Sequence, residues 1–238
     1  ESLSYVFDAV FWTRQQSGNE IPVIGFAGAP WTLMGYMVEG GAVRSFDRAK
    51  KWLYLYPEAS RKLLTALRDI VVEYLVGQYD SGAPLLQVFD TNCGEVPPGV
   101  YEEFMVDDLK HIATEVKKRR PGALVSLFPK DGELATFNDS DYDVIGVPRG
   151  EGSTKPELSS RKCAVCSCAA PFRPTSRFEL STAADITQQV SWTTSPAEAR
   201  RMCPDKTLQG NFDPYCLYAD PAHVKATAQK MVREFGVD

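Results

Sequence analysis

The chain has 238 residues, of which 44% are hydrophobic and 24% charged, and a formal net charge of -5. That is a globular profile with enough apolar material for one large core or two small ones. There is no basic surplus to neutralise phosphates, so the balance gives no support to nucleic-acid binding. Apolar stretches such as residues 21–33 are broken by Gly and Pro well short of a bilayer span.

Taken in order, the chain alternates helical and strand-like patterns. Residues 4–16 predict a helix with Val6, Val10 and Thr13 on its inner side, and residues 21–26 a buried strand ended by a Gly/Ala/Pro turn. A short helix follows over 31–38, stopped by Gly40 and Gly41. Further helices are expected at 47–54 and at 57–82, the second with Pro57 in its first turn and Leu63, Leu64, Leu67, Val71 and Leu75 at helical spacing. Residues 85–89 predict a strand, 100–120 a helix, and 123–128 and 142–146 two more strands. From 147 to 189 neither period is sustained, and the composition turns to Ser, Thr, Pro and small residues. Regular structure is expected again at 190–192, in a helix over 196–202 capped by Ser195, in a strand over 207–210 and in a final helix over 221–235.

This alternation predicts an α/β fold with a parallel sheet. No Gly-x-Gly-x-x-Gly opens a helix after the first strand, so a dinucleotide fold lacks direct support. The other solution is a (β/α)8 barrel of the TIM type, which typically takes about 250 residues and keeps its chemistry where the strands end. Without 147–189 the chain falls short of that length, so the barrel is expected to be incomplete. The strand tips read Phe26 to Pro30, then Asp90-Thr91-Asn92, Lys130-Asp131, Trp192 and Asn211-Phe212-Asp213. Polar and glycine-rich tips on apolar stems suit a ligand pocket. Asp90, Asp131 and Asp213 each carry a plainer alternative, as N-caps of the elements that follow.

At these tips the chain resembles the uroporphyrinogen decarboxylase family. The run IPVIGFAGAPWTLMGYMVEGG, residues 21–41, matches its segment with GFAGAPWTL and a Tyr before VEGG. LQVFDTNCG at 86–94 is similar to a strand ending in Phe, an acidic residue and Ser. Residues 128–132 with 142–146 resemble its F-x-K-D-G and Y-x-V-I-G pair, and TLQGNFDPYCLY at 207–218 its LQGNLDP-x-x-LY. The motifs stand in the family's order and cover the chain outside 147–189.

The resemblance implies removal of CO2 from the four acetate arms of uroporphyrinogen to give coproporphyrinogen, in haem and chlorophyll synthesis, without metal or organic cofactor. Protonating the pyrrole makes the substrate its own electron sink, so the protein supplies placement and charge stabilisation. Carried over residue by residue, Tyr36 would orient a carboxylate arm, Phe26 would pack against the macrocycle, and Thr91 stands where the family has Ser. The family's basic pair and catalytic Asp would lie before Glu1, and its C-terminal His beyond Asp238. The resemblance therefore implies that the 238 residues alone are inactive. It also implies a homodimer, in cytoplasm or plastid, with no membrane partner. His111 and His223 read as solvated helix residues.

Glu1 follows no initiator Met, basic n-region or cleavage signal, so the sequence is read as starting inside a longer protein. The whole is taken as one barrel domain over 1–238, interrupted at 147–189 by a retained intron, a surface loop or a metal module. The metal reading rests on Cys163, Cys166 and Cys168, without a second pair nearby to close a zinc site. The six Cys do not form a secreted disulfide framework, which favours a reducing compartment. Two further functions compete. A related barrel methyltransferase would use zinc held by His-x-Cys, which the chain lacks. A non-catalytic fragment would expose strand edges.

Overall fold

The computed structural model describes residues 3–41, 45–130, 132–146, 195–210 and 212–235. The segment 147–189, Trp192, Asp131, Asn211 and the three clustered cysteines lie outside them. Strands β1 (Ile24–Gly28), β2 (Leu85–Asp90), β3 (Leu124–Pro129), β4 (Val144–Gly146) and β5 (Thr207–Gln209) form one sheet in sequence order. Every neighbouring pair is parallel. The first strand starts later than its apolar run suggests, because Pro22 has no N–H to give to a ladder. Ile21 beside it is exposed. β4 likewise begins two residues late, since Tyr142 is buried off the strand and its hydroxyl donates to the carbonyl of Leu109 at 2.8 Å.

The connections are helical. They comprise α1 (Ser4–Gln16), α2 (Pro30–Glu39), α3 (Asp47–Leu55), α4 (Pro57–Asp80), α5 (Pro98–Tyr101), α6 (Asp107–Arg119), α7 (Pro196–Met202) and α8 (Pro221–Glu234). The helix expected over 100–120 is thus not uniform: a π-helical turn, Glu102–Val106, joins α5 to α6. Such wide turns are rare and tend to sit near functional sites. Ser195 caps α7 as expected, its hydroxyl accepting the Glu198 N–H at 3.2 Å. Asp213 also acts as a cap, accepting from the Tyr215 N–H at 2.9 Å. The expected face of α1 needs correction. Thr13 is exposed, and Phe7 instead packs on Tyr74 of α4 with ring centroids 5.9 Å apart.

The two faces of the sheet differ. Ala27, Leu86, Val88, Val125, Leu127 and Ile145 point into a core shared with Leu64, Leu67, Val71 and Leu75 of α4 and Leu109, Ile112 and Val116 of α6. On the opposite face Ile24, Phe26 and Leu124 are 49%, 60% and 51% exposed. A parallel sheet covered by helices on one side, in sequence order, is a sector of a (β/α)8 barrel whose other face would be the barrel interior. The incomplete barrel expected above is what the chain forms.

Within the helix layer, Phe46 is fully buried, its ring edge-on to Trp31 at 5.6 Å and to Tyr36 at 5.7 Å. It reaches that place only because Gly35 has no side chain, since a Cβ there would fall inside the Phe46 ring. Gly35→Ala should lower stability by about 1–3 kcal/mol. The gain of about 1 kcal/mol in helix propensity does not offset the clash. A urea unfolding midpoint unchanged or raised by the substitution would contradict this packing.

Candidate active-site rim at the carboxyl ends of the strands

Alternation along the strands sorts the open face into rows. Ile24, Leu85 and Leu124 form the lowest row, and Phe26, Gln87, Ser126, Val144 and Thr207 the next. Above them come Gly28, Phe89 and Phe128. Layering of this kind is the normal filling of a barrel interior. Phe89 links the rows: its ring lies 5.9 Å from Phe26 and 6.2 Å from Phe128, edge-on to both. The three rings make a continuous aromatic wall across β1, β2 and β3, exposed at Phe26, half-buried at Phe89 and buried at Phe128. Gly146 completes its far end, because a Cβ there would collide with the Phe128 ring. Beneath the wall the Ser126 hydroxyl is buried, with no hydrogen-bond partner among the described residues.

Phe26, expected as a pocket wall, is 60% exposed on this face at one end of the row of rings. Its backbone is fixed from the helix layer. The buried amide of Gln78 accepts the Phe26 N–H at 2.9 Å and donates to the Phe26 carbonyl at 2.9 Å. Sequence reasoning missed Gln78, although the signal was there. It continues the apolar stripe of Val71 and Leu75 on α4, and a polar residue on a buried stripe must find partners.

Asp90 turned out differently from its neighbours at the tip. Parity puts it on the helix side of the sheet, where it is fully buried and is neither a pocket group nor a cap. The Tyr101 hydroxyl donates to its Oδ2 at 2.7 Å and the Thr32 hydroxyl to its Oδ1 at 3.3 Å. Burial pushes the Asp90 carboxyl up to about 6, against the opposing pull of those two hydrogen bonds. Burial also pushes Tyr101 upward, and the nearby Asp90 adds to that shift. Asp90 thus ties the end of β2 to the first turn of α2 and to the residue before the π-helical turn. Trp31 adds a second tie, its Nε1 donating to the Asn92 carbonyl at 3.0 Å.

Thr91 follows Asp90, so alternation returns it to the open face, one step above Phe89, where it is half-buried. Lys130 occupies the same position above Phe128 on β3. Tyr36 sits on α2, 38% exposed, with its ring against Phe46; its hydroxyl makes no hydrogen bond among the described residues. The structure therefore joins Phe26 and Thr91 to one wall, through Phe89, and places Tyr36 on the neighbouring helix without contact to either. Tyr36 packs on the helix layer through Phe46 and keeps part of its ring exposed.

The two histidines lie elsewhere. His223 is exposed on α8 and gives its backbone N–H to Asp220 at 3.0 Å. His111 lines a cavity of about 300 Å³ between α4 and α6, with Asp69, Glu73, Glu115 and Arg119. That cavity is on the outer layer, away from the strand tips where barrel chemistry is found. Among the described residues no group of three or more His, Cys, Asp or Glu is placed to hold a metal ion. Nor is any described helix long and apolar enough to cross a membrane.

Comparison with known proteins follows the same lines. The family model described as Uroporphyrinogen decarboxylase (URO-D) matches residues 1–238. The uroporphyrinogen decarboxylase of Schizosaccharomyces pombe is 35% identical, over 98% of this chain and 56% of its own length. That of Salinibacter ruber is 36% identical, over 99% of this chain and 55% of its length. The Homo sapiens protein is 35% identical, over 98% and 54%. The chain spans about half the length of these curated relatives. Among solved structures, a methyltransferase from Methanosarcina mazei superposes with a TM-score of 0.66 at 16% identity, covering 98% of this chain and 55% of that one. At that identity the likeness is one of fold, and it agrees with the barrel sector seen here. Sequence match along the whole chain, the order of the strand-tip motifs and the parallel sheet that carries them converge: the chain belongs to the uroporphyrinogen decarboxylase family.

Proposed function

We propose that this polypeptide forms one wall of the substrate cleft of a uroporphyrinogen decarboxylase, a carboxy-lyase acting on the acetate arms of a tetrapyrrole. The observation that carries the reading is the aromatic wall of Phe26, Phe89 and Phe128 below polar rim residues, in a chain that aligns almost throughout with proteins of that name. A macrocycle of four pyrrole rings with carboxylate arms needs that combination, aromatic side chains against its rings and polar groups for its arms. Phe26 packs against the macrocycle, Thr91 offers its hydroxyl to an arm, and Tyr36 orients a second arm from α2. Loss of CO2 leaves carbanion character that the protonated pyrrole absorbs, so this wall contributes placement rather than proton transfer.

The barrel domain runs through the chain, with 147–189 as an insertion, either a surface loop or a translated intron. The protein acts as a homodimer, in the cytoplasm or, in a photosynthetic cell, in the plastid, where chlorophyll synthesis would draw on its product. Among the described residues of the wall no Asp or His is placed to handle the proton, so the purified 238 residues are expected to bind without turnover. Fluorescence titration with uroporphyrin, the oxidised eight-carboxylate form, should show saturable binding, weaker for the four-carboxylate coproporphyrin. A porphyrinogen assay of the same sample should yield no coproporphyrinogen. Absence of saturable binding would overturn the proposed cleft; product formation would overturn the division of labour.

A further inference from the structure

Lys130 is the cation that the rim presents and that the reading above leaves unused. It lies immediately after β3, and its N–H continues the ladder by donating to the Asp90 carbonyl at 3.1 Å. Its own carbonyl accepts from Cys93 Sγ at 2.6 Å, across the β2 tip. The turn beyond it closes through the Gly132 N–H to the Pro129 carbonyl at 3.0 Å. The backbone of Lys130 is thus held on three sides. Carrying the alternation of β3 one residue past its end puts Lys130 on the side of Phe128, level with Thr91 just beyond β2.

The side chain is half-buried, and among the described residues it makes no ion pair and no hydrogen bond. Most other cations of the α4–α6 layer behave differently. Arg68 pairs with Asp108, Lys117 with Asp143 and Arg120 with Asp80. A lysine on a fixed backbone, above an aromatic wall and without a carboxylate partner among the described residues, is placed to receive one from a ligand.

We propose that Lys130 is the anion-binding residue of this rim, its ammonium pairing with a carboxylate arm of the tetrapyrrole whose ring system lies on Phe26 and Phe89. This rests on the cleft reading above and adds to it the source of positive charge on the β2–β3 side. Long-stemmed Lys suits an arm that swings, because its ammonium donates without the fixed fork that Arg requires.

The test uses the full 238-residue chain and uroporphyrin. Lys130→Gln should weaken binding about five- to tenfold at low salt and flatten the dependence of affinity on salt. Lys130→Arg, which keeps the charge, should stay within about twofold of the parent. Lys62→Gln on the exposed side of α4 makes the same change in net charge and should leave affinity alone. Far-ultraviolet circular dichroism of each variant confirms that the fold is retained, and Lys130→Glu, predicted to bind weaker still, gives a second reading of sign. If Lys130→Gln binds as the parent does, or if Lys62→Gln loses as much, the assignment of Lys130 is overturned and the cleft stands. If the parent chain does not bind uroporphyrin, cleft and lysine fall together.

Discussion

Trp31→Ala should lower the stability of the folded chain by about 3–5 kcal/mol, the largest single loss expected here. Trp31 is among the largest fully buried side chains, and it holds α2 in two ways. Its ring stands edge-on to Phe46, and its Nε1 donates to the Asn92 carbonyl in the loop after β2. Truncation leaves a cavity, removes the aromatic contact and strands a carbonyl without its donor. Trp31→Phe separates the contributions, keeping most of the volume while losing the donor, and should cost about 1–3 kcal/mol. Chemical unfolding of the three proteins measures both. A loss under 1 kcal/mol for Trp31→Ala would mean that the loop after β2 does not depend on α2.

Asp90 gives the second large effect, and its sign follows from linkage. The Asp90 carboxyl titrates at about 6 in the folded chain, above its ordinary value of 3.8. Between those values the unfolded chain has already released the proton that the folded chain retains. Stability from this group is therefore present below pH 4, falls as pH rises through the window and is fully lost above about pH 6. The amplitude is on the order of 3 kcal/mol for a shift of about two units. Asp90→Asn removes the titration while keeping a group that can accept from Tyr101. The difference in unfolding free energy between parent and variant should thus change by about that amount between pH 4 and pH 7. Taking the difference matters, because burial also raises Asp108 on α6 despite its pairing with Arg68, and that group moves stability in the same direction. A difference independent of pH would show that Asp90 is not the buried acid described.

Much of the fold could be read from the residues alone. The alternation of apolar runs with amphipathic stretches located all five strands that the structure describes. The caps at Ser195 and Asp213 followed from residue type, because a short oxygen-bearing side chain beside an unpaired N–H has one obvious use. The limits came from the strands themselves. Leu85 to Asp90 reads Leu-Leu-Gln-Val-Phe-Asp, with no clean alternation, since a parallel strand can bury residues on both faces. Nothing local says that Phe89 opens to the cleft while Asp90 turns to the helices, so Asp90 was grouped with the rim polar residues. Its partners Thr32 and Tyr101 are distant in sequence and could not be paired with it by pattern. Tyr36 shows the same limit: the motif located it, but only the packing of Phe46 shows which side of α2 it holds. The motif around Lys130 was visible as well, yet that it meets no carboxylate among the described residues is a property of the assembled fold.

The π-helical turn between α5 and α6 has a consequence for how this stretch can vary. A wide turn accommodates one residue more than an α-helix would over the same path, so it sets the angular phase between Tyr101 and the buried stripe of Leu109, Ile112 and Val116. Removing one residue from Glu102–Val106 closes the wide turn into a regular helix over that same path and keeps Tyr101 and the stripe in phase. A one-residue change inside the regular part of α6 instead rotates one side against the other by about 100°, taking the stripe off the sheet or Tyr101 away from Asp90. Most helical linkers in a barrel absorb small changes of length at their ends; here one residue is already absorbed within the helix, and a deletion at the wide turn should spare the buried acid where the same deletion in α6 would act like a substitution at Tyr101.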